Sequence, residues 1–447
     1  MSIPKRAALF TLGCKVNWYD SRAMEEALRA AGFQIVAEDT EADVYIVNTC
    51  AVTAEAERKS RQTLRRLARL HPGAAVVAAG CYAQRDPAAV GALEGVAAVQ
   101  GTGRAGIASV AQAALEGQGD FMIPGDPGLA YEDMAAQGQQ GHTRAVLKIE
   151  DGCDAFCAYC IIPHLRGLPR SRPLASIAKE AAALAERGFQ EIVLVGINLA
   201  RYGGAGGRIG SSNHAYGSGG IACEETLADA IAAACVPGIR RVRLGSLEPD
   251  AIDAALLRRL SVLPAFCPHF HLSLQSGCDA TLKRMNRRYT AAEYARKLAL
   301  IRETFPDAMV TTDVIVGFPG ETEEEFAQSA AFVAAQGFLK VHVFPYSRRT
   351  GTTAAAMGEQ VPKATKQARA SAMQAAAAPG SAAARLAWLG RTVEVLFEEC
   401  ETDGMAGGYT ANYMEVHAPI AEAQGKLLLV RLTALDGDGM MGERVDL

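Results

Sequence analysis

The stretch Glu150-Asp-Gly-Cys153-Asp-Ala-Phe-Cys157-Ala-Tyr-Cys160-Ile-Ile-Pro163 sets three cysteines in Cys-x3-Cys-x2-Cys spacing. Such a loop brings three thiolates to one centre, whereas a closed structural zinc or iron–sulfur site usually takes four protein ligands. Three ligands leave one coordination position open. The spacing therefore predicts a metal centre that performs chemistry, with these three cysteines as its ligands.

A zinc knuckle is an alternative interpretation of the same stretch. His164 follows Cys160 by four residues and could complete a Cys3His site. Pro163 and Leu165 flank that histidine, and no second Cys-x2-Cys arm follows. An inert group of buried thiols is the other alternative, and the spacing alone leaves both open.

Strand and helix patterns alternate along the chain around this loop. Six such repeats predict a parallel barrel, partly or fully closed, whose C-terminal rim carries the site. The strand-like runs are 145–150, 191–197, 241–247, 269–275, 310–316 and 339–344. The cysteine loop follows the first of them. Polar residues at other strand ends should face the same mouth, where each could bind a cofactor or cap a strand: Asn198, Glu248, Gln275 and Asp313.

A second set of three cysteines is predicted in the N-terminal region. Cys14, Cys50 and Cys81 each follow a short apolar strand-like run, at 7–12, 43–47 and 75–79. In a doubly wound parallel sheet, such strand ends gather along one edge, where ligands bind. The three are therefore expected to form a second metal site. The alternative is three cysteines buried in a core, where cysteine is common.

The predicted fold class is α/β with three domains and a linker. We expect a doubly wound parallel-sheet domain over 1–115, a Gly- and Pro-rich linker over 116–143 and the barrel over 144–378. A small all-β barrel is expected over 385–447, after an Ala-rich helical stretch broken by Pro379-Gly380. The Gly- and Ser-rich run 203–220 is predicted to be a flexible loop.

The composition limits the classes of function. The 447 residues carry a net charge of −4, so any nucleic-acid contact must come from local patches. No apolar run reaches the roughly 18–20 residues of a membrane span. Eleven cysteines are too few for a disulfide scaffold in a chain of this length, and an odd number cannot all pair within the chain. A cytoplasmic location, where thiols stay reduced, is expected.

Three basic patches are candidates for contact with RNA phosphates. One is a helical stripe that is equally consistent with a solvated helix face. The second follows the cysteine loop beside the expected active site and is the favoured phosphate contact. The patches comprise, in turn, Arg58, Lys59, Arg61, Arg65, Arg66 and Arg69; Arg166, Arg170 and Arg172; and Lys283, Arg284, Arg287 and Arg288.

The chain resembles the methylthiotransferases of the radical S-adenosylmethionine (SAM) superfamily over nearly its whole length. The cysteine loop carries the superfamily signature, and the β tail is similar to the RNA-binding TRAM domain. The other matching motifs are Thr-Leu-Gly-Cys14-Lys-Val-Asn, Val-Asn-Thr-Cys50-Ala-Val-Thr, Ala-Gly-Cys81, Leu247-Glu-Pro, Leu272-Ser-Leu-Gln-Ser-Gly, Met285-Asn-Arg-Arg and Asp313-Val-Ile-Val-Gly-Phe-Pro-Gly-Glu-Thr322.

The resemblance implies two [4Fe-4S] clusters, one on each cysteine triad, both taking part in catalysis. The barrel cluster would bind and cleave SAM, with Tyr159, Glu248 and Gln275 as expected SAM contacts. The resulting radical would remove hydrogen from C2 of an adenine, the N-terminal cluster would present sulfur, and a second SAM would supply the methyl group. The expected partners are the anticodon stem-loop of tRNA and an electron donor of flavodoxin or ferredoxin type, without membrane or DNA.

Within this family, Gly-Cys14-Lys-Val-Asn resembles the branch that acts on N6-threonylcarbamoyladenosine just 3′ of the anticodon. The isopentenyladenosine branch tends to read Gly-Cys-Gln-Met-Asn there, and the ribosomal-protein branch Gly-Cys-Pro-Lys-Asn. Trp18-Tyr-Asp departs from the more usual Gln-Tyr-Glu. The alternative substrates are isopentenyladenosine in tRNA and a ribosomal protein side chain. The alternative function is that of a non-catalytic iron–sulfur protein that binds RNA.

Overall fold

The computed structural model describes residues 4–117, 121–123, 130–136, 139, 141–204, 225–400 and 404–445. Most of the predicted loop 203–220 therefore lies outside the described residues. No helix within the described ranges is both long and apolar enough to cross a membrane.

The N-terminal domain is a six-stranded parallel sheet with helices on both faces. Strand order is β2-β1-β3-β4-β5-β6, so the central strand β3 lies between β1 and β4, and every residue of β3 is buried. The elements are β1 (Arg6–Thr11), α1 (Lys15–Ala30), β2 (Gln34–Val36), β3 (Val44–Thr49), α2 (Ala54–Leu70), β4 (Ala75–Gly80), α3 (Cys81–Arg85), α4 (Pro87–Gly91), β5 (Val96–Gln100), α5 (Ile107–Leu115) and β6 (Phe121–Ile123).

Strand β6 corrects the predicted linker. It pairs with β5 in parallel, with Ala98 opposite Phe121, and so extends the sheet into the region 116–143. A three-residue strand is too short to give a periodic signal among Gly and Pro residues. The linker's later part also packs inward, because the side-chain amide of Gln139 donates to the carbonyl of Val146 at 2.7 Å.

The central domain is a partial barrel of parallel strands with helices outside. One sheet has the order β11-β10-β7 and the other β12-β13-β14-β15. The elements are β7 (Arg144–Lys148), β8 (Glu150–Asp151), α6 (Ile162–Arg166), β9 (Arg170–Ser171), α7 (Leu174–Glu186), β10 (Glu191–Val195), α8 (Leu227–Ala234), β11 (Arg241–Leu244), β12 (Ser246–Leu247), α9 (Ala254–Ser261), β13 (His269–Leu272), α10 (Asp279–Arg284), α11 (Ala291–Thr304), β14 (Met309–Val316), α12 (Glu323–Gln336), β15 (Lys340–Pro345), α13 (Thr353–Ala356) and α14 (Lys363–Leu386).

Five of the six predicted barrel strands are confirmed in position, whereas the predicted strand 241–247 is divided into β11 of one sheet and β12 of the other. In the described part of the chain the end strands β7 and β15 do not pair, which leaves one side of the barrel open. The first turn of α1 packs on the barrel beside this opening, because Val16 contacts Val193 and Val195 of β10, with Val146 of β7 alongside. Val16 thus joins the N-terminal domain to the barrel.

Helix α14 corrects the predicted break at Pro379-Gly380, since it runs continuously through both residues. Its buried residues Ala370, Met373 and Ala377 belong to the barrel's main core, so packing offsets the backbone hydrogen bond that the proline cannot donate.

The C-terminal domain is a closed five-stranded barrel of order β16-β17-β18-β20-β19. Its strands are β16 (Thr392–Cys400), β17 (Met405–Thr410), β18 (Glu415–Pro419), β19 (Leu427–Asp436) and β20 (Gly439–Arg444). A tight hairpin joins β17 to β18, with Tyr409 opposite Glu415. The domain docks where the central strands begin, since Arg241 donates to the carbonyl of Tyr409 at 2.9 Å and Arg243 to that of Ala411 at 2.8 Å.

Candidate active site

Cys14, Cys50 and Cys81 lie together at one edge of the N-terminal sheet, as predicted. They follow the ends of β1, β3 and β4, which are neighbours in that sheet. Gly13 has a φ of +107°, and a Cβ at this position would lie 2.7 Å from the sulfur of Cys50. Glycine is therefore required where the Cys14 loop passes Cys50.

The chemistry of these thiols suits a bound cation. Burial raises the pKa of Cys50 to about 11 and also raises the pKa of Cys81, whereas Cys14 is exposed. Buried thiols of this kind ionise only when a positive centre binds them. The positive charge of nearby Arg166 partly offsets the effect of burial on the pKa of Cys81.

The second triad, Cys153, Cys157 and Cys160, lies in the loop after β8. Burial raises the pKa of Cys153 to about 11 and of Cys160 to about 12. The side-chain amide of Asn198 lies 3.5 Å from the sulfur of Cys153, and Arg287 donates to that of Cys157 at 3.2 Å. Such hydrogen bonds stabilise thiolates and tune the potential of a cluster.

His164 is the residue that the zinc alternative requires as a fourth ligand. Among the described residues, no group of three His, Cys, Asp or Glu side chains is gathered as a ligand set for one metal ion. His164 is exposed and packs edge-on against Phe156, with 5.5 Å between the ring centroids. These positions do not support the zinc alternative.

Two of the three residues expected to contact SAM gather beside the barrel triad. Glu248 accepts a hydrogen bond of 3.1 Å from Arg287, which also contacts Cys157. Tyr159 is near the same guanidinium, and burial raises the pKa of its hydroxyl. Gln275 lies at another strand end with a φ of 65°, and its backbone N–H donates to Asp313 at 2.8 Å. Their contacts with SAM stay predictions.

The structure contradicts the expected phosphate contacts of Arg166, Arg170 and Arg172. These side chains are only 2%, 7% and 2% exposed and already pair with carboxylates. A guanidinium in this situation cannot reach the phosphates of a docked RNA. A run of arginines after the cysteine loop is consistent with a buried ion-pair network as well as with a surface patch. The sequence pattern alone does not distinguish the two.

That network links the N-terminal domain to the barrel, and the sequence did not predict it. Asp20 of α1 and Asp151 of β8 share the cations around them. Arg166 bonds both carboxylates at 3.0 Å, and Lys148 bonds them at 2.9 and 2.7 Å. Arg104 lies 3.2 Å from each. Desolvation opposes ionisation of both carboxylates, yet the surrounding cations hold the pKa of each below its ordinary value.

Lys15 is the one member of Lys15-Val16-Asn17 whose side chain remains exposed within the site. Val16 is packed into the barrel and Asn17 is buried, where its amide donates to the carbonyls of Leu12 and Thr49. Burial lowers the pKa of His342, and Lys15 is among the neighbouring cations that lower it further. Lys15 therefore lies near His342 of β15.

Comparison with known proteins agrees with this site. Residues 6–101 match the Uncharacterized protein family UPF0004, and residues 147–333 match the Radical SAM superfamily. The threonylcarbamoyladenosine tRNA methylthiotransferase MtaB of Bacillus subtilis is 36% identical over 95% of this chain and 93% of its own length. The corresponding protein of Thermotoga maritima is 34% identical over 99% and 98%.

A second group of relatives carries another name at similar identity. The tRNA-2-methylthio-N(6)-dimethylallyladenosine synthase of Cereibacter sphaeroides is 34% identical over the full length of both chains. Among solved structures, the radical SAM methyltransferase TsrM of Kitasatospora setae has a TM-score of 0.55 at 18% identity, over 79% of this chain and 75% of that one. This last likeness shows the fold alone.

Fold and cysteine loop thus define a radical SAM enzyme. Within that superfamily, the chain belongs to the methylthiotransferase family. It uses SAM and [4Fe-4S] clusters, and the two cysteine triads are the groups available to hold the clusters.

Proposed function

We propose that this enzyme adds a methylthio group to C2 of N6-threonylcarbamoyladenosine just 3′ of the anticodon in tRNA. The observation that carries this proposal is the closeness of the two triads. Helix α6 begins two residues after Cys160, and Arg166 in its last turn donates to the side-chain oxygen of Asn17 at 2.7 Å. The same oxygen lies 3.9 Å from the sulfur of Cys81. A helix of five residues is about 8 Å long. A base held between the triads can therefore be activated from one side and receive sulfur from the other.

The bound groups supply the radical that activates C2, the sulfur and the methyl group, and the chain's own residues position them. Asn198 and Arg287 stabilise the thiolates of the barrel triad. Glu248, which accepts a hydrogen bond from Arg287, is the carboxylate that we propose to orient SAM. The buried network of Asp20, Asp151 and their cations fixes the two domains, so the distance between the triads does not depend on a flexible linker.

Lys15 supports the threonylcarbamoyl substrate over the isopentenyl one. The threonylcarbamoyl group adds a carboxylate and a hydroxyl, whereas isopentenyl is apolar. A carboxylate in a partly desolvated pocket needs a cation or several N–H donors. The exposed ammonium of Lys15 provides that cation next to Cys14. Arg166 and Arg170, two cations that follow the cysteine loop, are buried in the network instead.

The electron donor and compartment follow from the same chemistry. Cleavage of SAM needs an electron, so we propose a flavodoxin- or ferredoxin-type donor. We place the reaction in the cytoplasm, where thiols stay reduced.

Mass spectrometry of tRNA nucleosides from cells that lack the protein tests the proposal. Loss of the methylthio form, with threonylcarbamoyladenosine accumulating, is expected. Loss of a methylthio group from an isopentenylated nucleoside would move the substrate to the other branch. Unchanged tRNA with an altered ribosomal protein would overturn a tRNA substrate altogether.

A further inference from the structure

Helix α2 carries the strongest exposed concentration of positive charge beside the site. Its 17 residues hold six Lys or Arg and two Glu, in a chain whose net charge is −4. Glu57, Ser60, Leu64 and Leu67 form its buried face. The outward face carries Lys59, Arg65 and Arg69, for which no ion pair with another described residue is found.

The start of α2 lies at the entrance to the active site. Thr53 caps the helix three residues after Cys50, accepting a hydrogen bond of 3.1 Å from Ala56. The N–H of Ala54 donates to Ser347 at 3.4 Å, and Glu57 pairs with Arg349. Ser347 and Arg349 follow β15, the strand that borders the open side of the barrel. The helix thus runs away from that opening.

Exposed apolar side chains lie on the segments that carry the two triads and on β15. Val52 is 46% exposed two residues after Cys50, and Phe344 on β15 is 50% exposed. Phe156, inside the cysteine loop, is 47% exposed. Exposed aromatic and apolar groups beside a cationic surface are typical of sites that stack unpaired bases and hold the neighbouring backbone.

We infer that the outward face of α2 binds the phosphates of the anticodon stem while the loop base enters the opening beside Cys50. This inference rests on the proposed function. A helix of 17 residues extends about 25 Å, enough to follow several consecutive phosphates of a stem. A compact acidic electron donor is the other partner that positive charge could attract. The helix, however, starts at the N-terminal triad, whereas the electron for SAM cleavage must reach the barrel triad.

A triple variant, Lys59→Gln, Arg65→Gln and Arg69→Gln, tests the inference in the full-length reconstituted enzyme. Glutamine keeps helix propensity and removes only charge. The control variant, Lys179→Gln, Arg258→Gln and Arg296→Gln, removes the same charge from exposed positions on α7, α9 and α11. Binding of an anticodon stem-loop RNA with threonylcarbamoyladenosine is measured from 50 to 300 mM salt.

The α2 variant should bind this RNA roughly tenfold or more weakly near 0.1 M salt. The slope of log affinity against log salt should fall by about 2–3, since each lost phosphate contact removes close to one unit. The control variant should bind like the wild type, and dithionite-driven SAM cleavage should be unchanged in both. Equal losses in both variants would show a net-charge effect and overturn the inference.

Two further outcomes separate this inference from its neighbours. Unchanged RNA affinity with slower flavodoxin-driven SAM cleavage would assign α2 to the electron donor and overturn the inference. In another outcome, the wild-type enzyme methylthiolates the RNA and the α2 variant binds the RNA with normal affinity. That result would overturn the inference but keep the proposed function. Wild-type enzyme that neither binds nor modifies any tRNA would overturn both.

Discussion

The guanidinium group of Arg166 donates a hydrogen bond of 2.7 Å to the side-chain oxygen of Asn17. Asn17 stands three residues after Cys14, and Arg166 six residues after Cys160. One contact therefore joins the segments that carry the two cysteine triads. Because Arg166 also bonds Asp20 and Asp151, it is the shared member of the domain interface and the site.

Replacing Arg166 by Met should destabilise the protein strongly. The change leaves Asp20 and Asp151 with fewer cations in a buried setting, and breaking such a pair typically costs about 3–5 kcal/mol. Urea unfolding of the cluster-loaded protein measures this. The matched control is Arg58→Met, which removes an exposed pair with Glu55 and should leave the unfolding midpoint unchanged. If Arg166→Met leaves the urea unfolding midpoint unchanged, as Arg58→Met should, then the stability of the fold does not require the network.

The two triads should divide the chemistry between them. Cys157→Ala should abolish SAM cleavage, whereas Cys50→Ala should spare cleavage and stop methylthiolation. Iron and sulfide analysis after anaerobic reconstitution should give about eight of each in the wild type and about half in either variant, if each triad holds one [4Fe-4S] cluster as proposed. The assignment fails if Cys50→Ala loses SAM cleavage while its barrel cluster is intact.

Lys15 should determine how well the threonylcarbamoyl group is held. Lys15→Met should raise KM for tRNA bearing threonylcarbamoyladenosine by roughly tenfold to a hundredfold, because a charge-assisted hydrogen bond is worth about 1.5–3 kcal/mol. Lys15→Arg should restore much of that loss. SAM cleavage without tRNA and cluster content should match the wild type in both variants. If Lys15→Met leaves the KM for this tRNA unchanged, Lys15 does not contribute to recognition of the substrate.

His269 should make the protein less stable in mild acid. Burial holds its pKa well below the ordinary 6.5, and nearby Arg243 and His271 lower it further. Below pH 6.5 the His269 imidazole therefore binds a proton in the unfolded chain but stays neutral in the folded protein. The free energy of unfolding falls as the pH drops through this range. The loss approaches 1.4 kcal/mol per pH unit at most.

Thermal unfolding at pH 7.5 and 5.5 checks this effect, with His269→Gln as the comparison. The ring of His269 stacks on Tyr413 of the C-terminal barrel at 4.4 Å, so the variant loses some packing at both pH values. Its Tm should nevertheless fall less than that of the wild type between pH 7.5 and 5.5. Equal falls would assign the acid sensitivity to other groups.

The parts of the fold that sequence predicts are those set by local pattern. Apolar runs located β1, β3 and β4 and the barrel strands, except that the run 241–247 is divided between β11 and β12. The ends of parallel strands explain why Cys14, Cys50 and Cys81 meet. The short strand β6 and the helix through Pro379 depend on neighbours distant in sequence, which no local pattern contains. Burial of Arg166 and Arg172 likewise depends on Asp20 and Glu180, carboxylates supplied by other segments.

The substrate is the central claim, and a paired assay of the reconstituted enzyme tests it most directly. Two otherwise identical tRNAs are offered with SAM and reductant, one bearing threonylcarbamoyladenosine and the other isopentenyladenosine, and their nucleosides are analysed by mass spectrometry. The account predicts methylthiolation of the threonylcarbamoyl tRNA, with little or none of the other. Methylthiolation of only the isopentenyl tRNA would contradict it while leaving the reaction type intact.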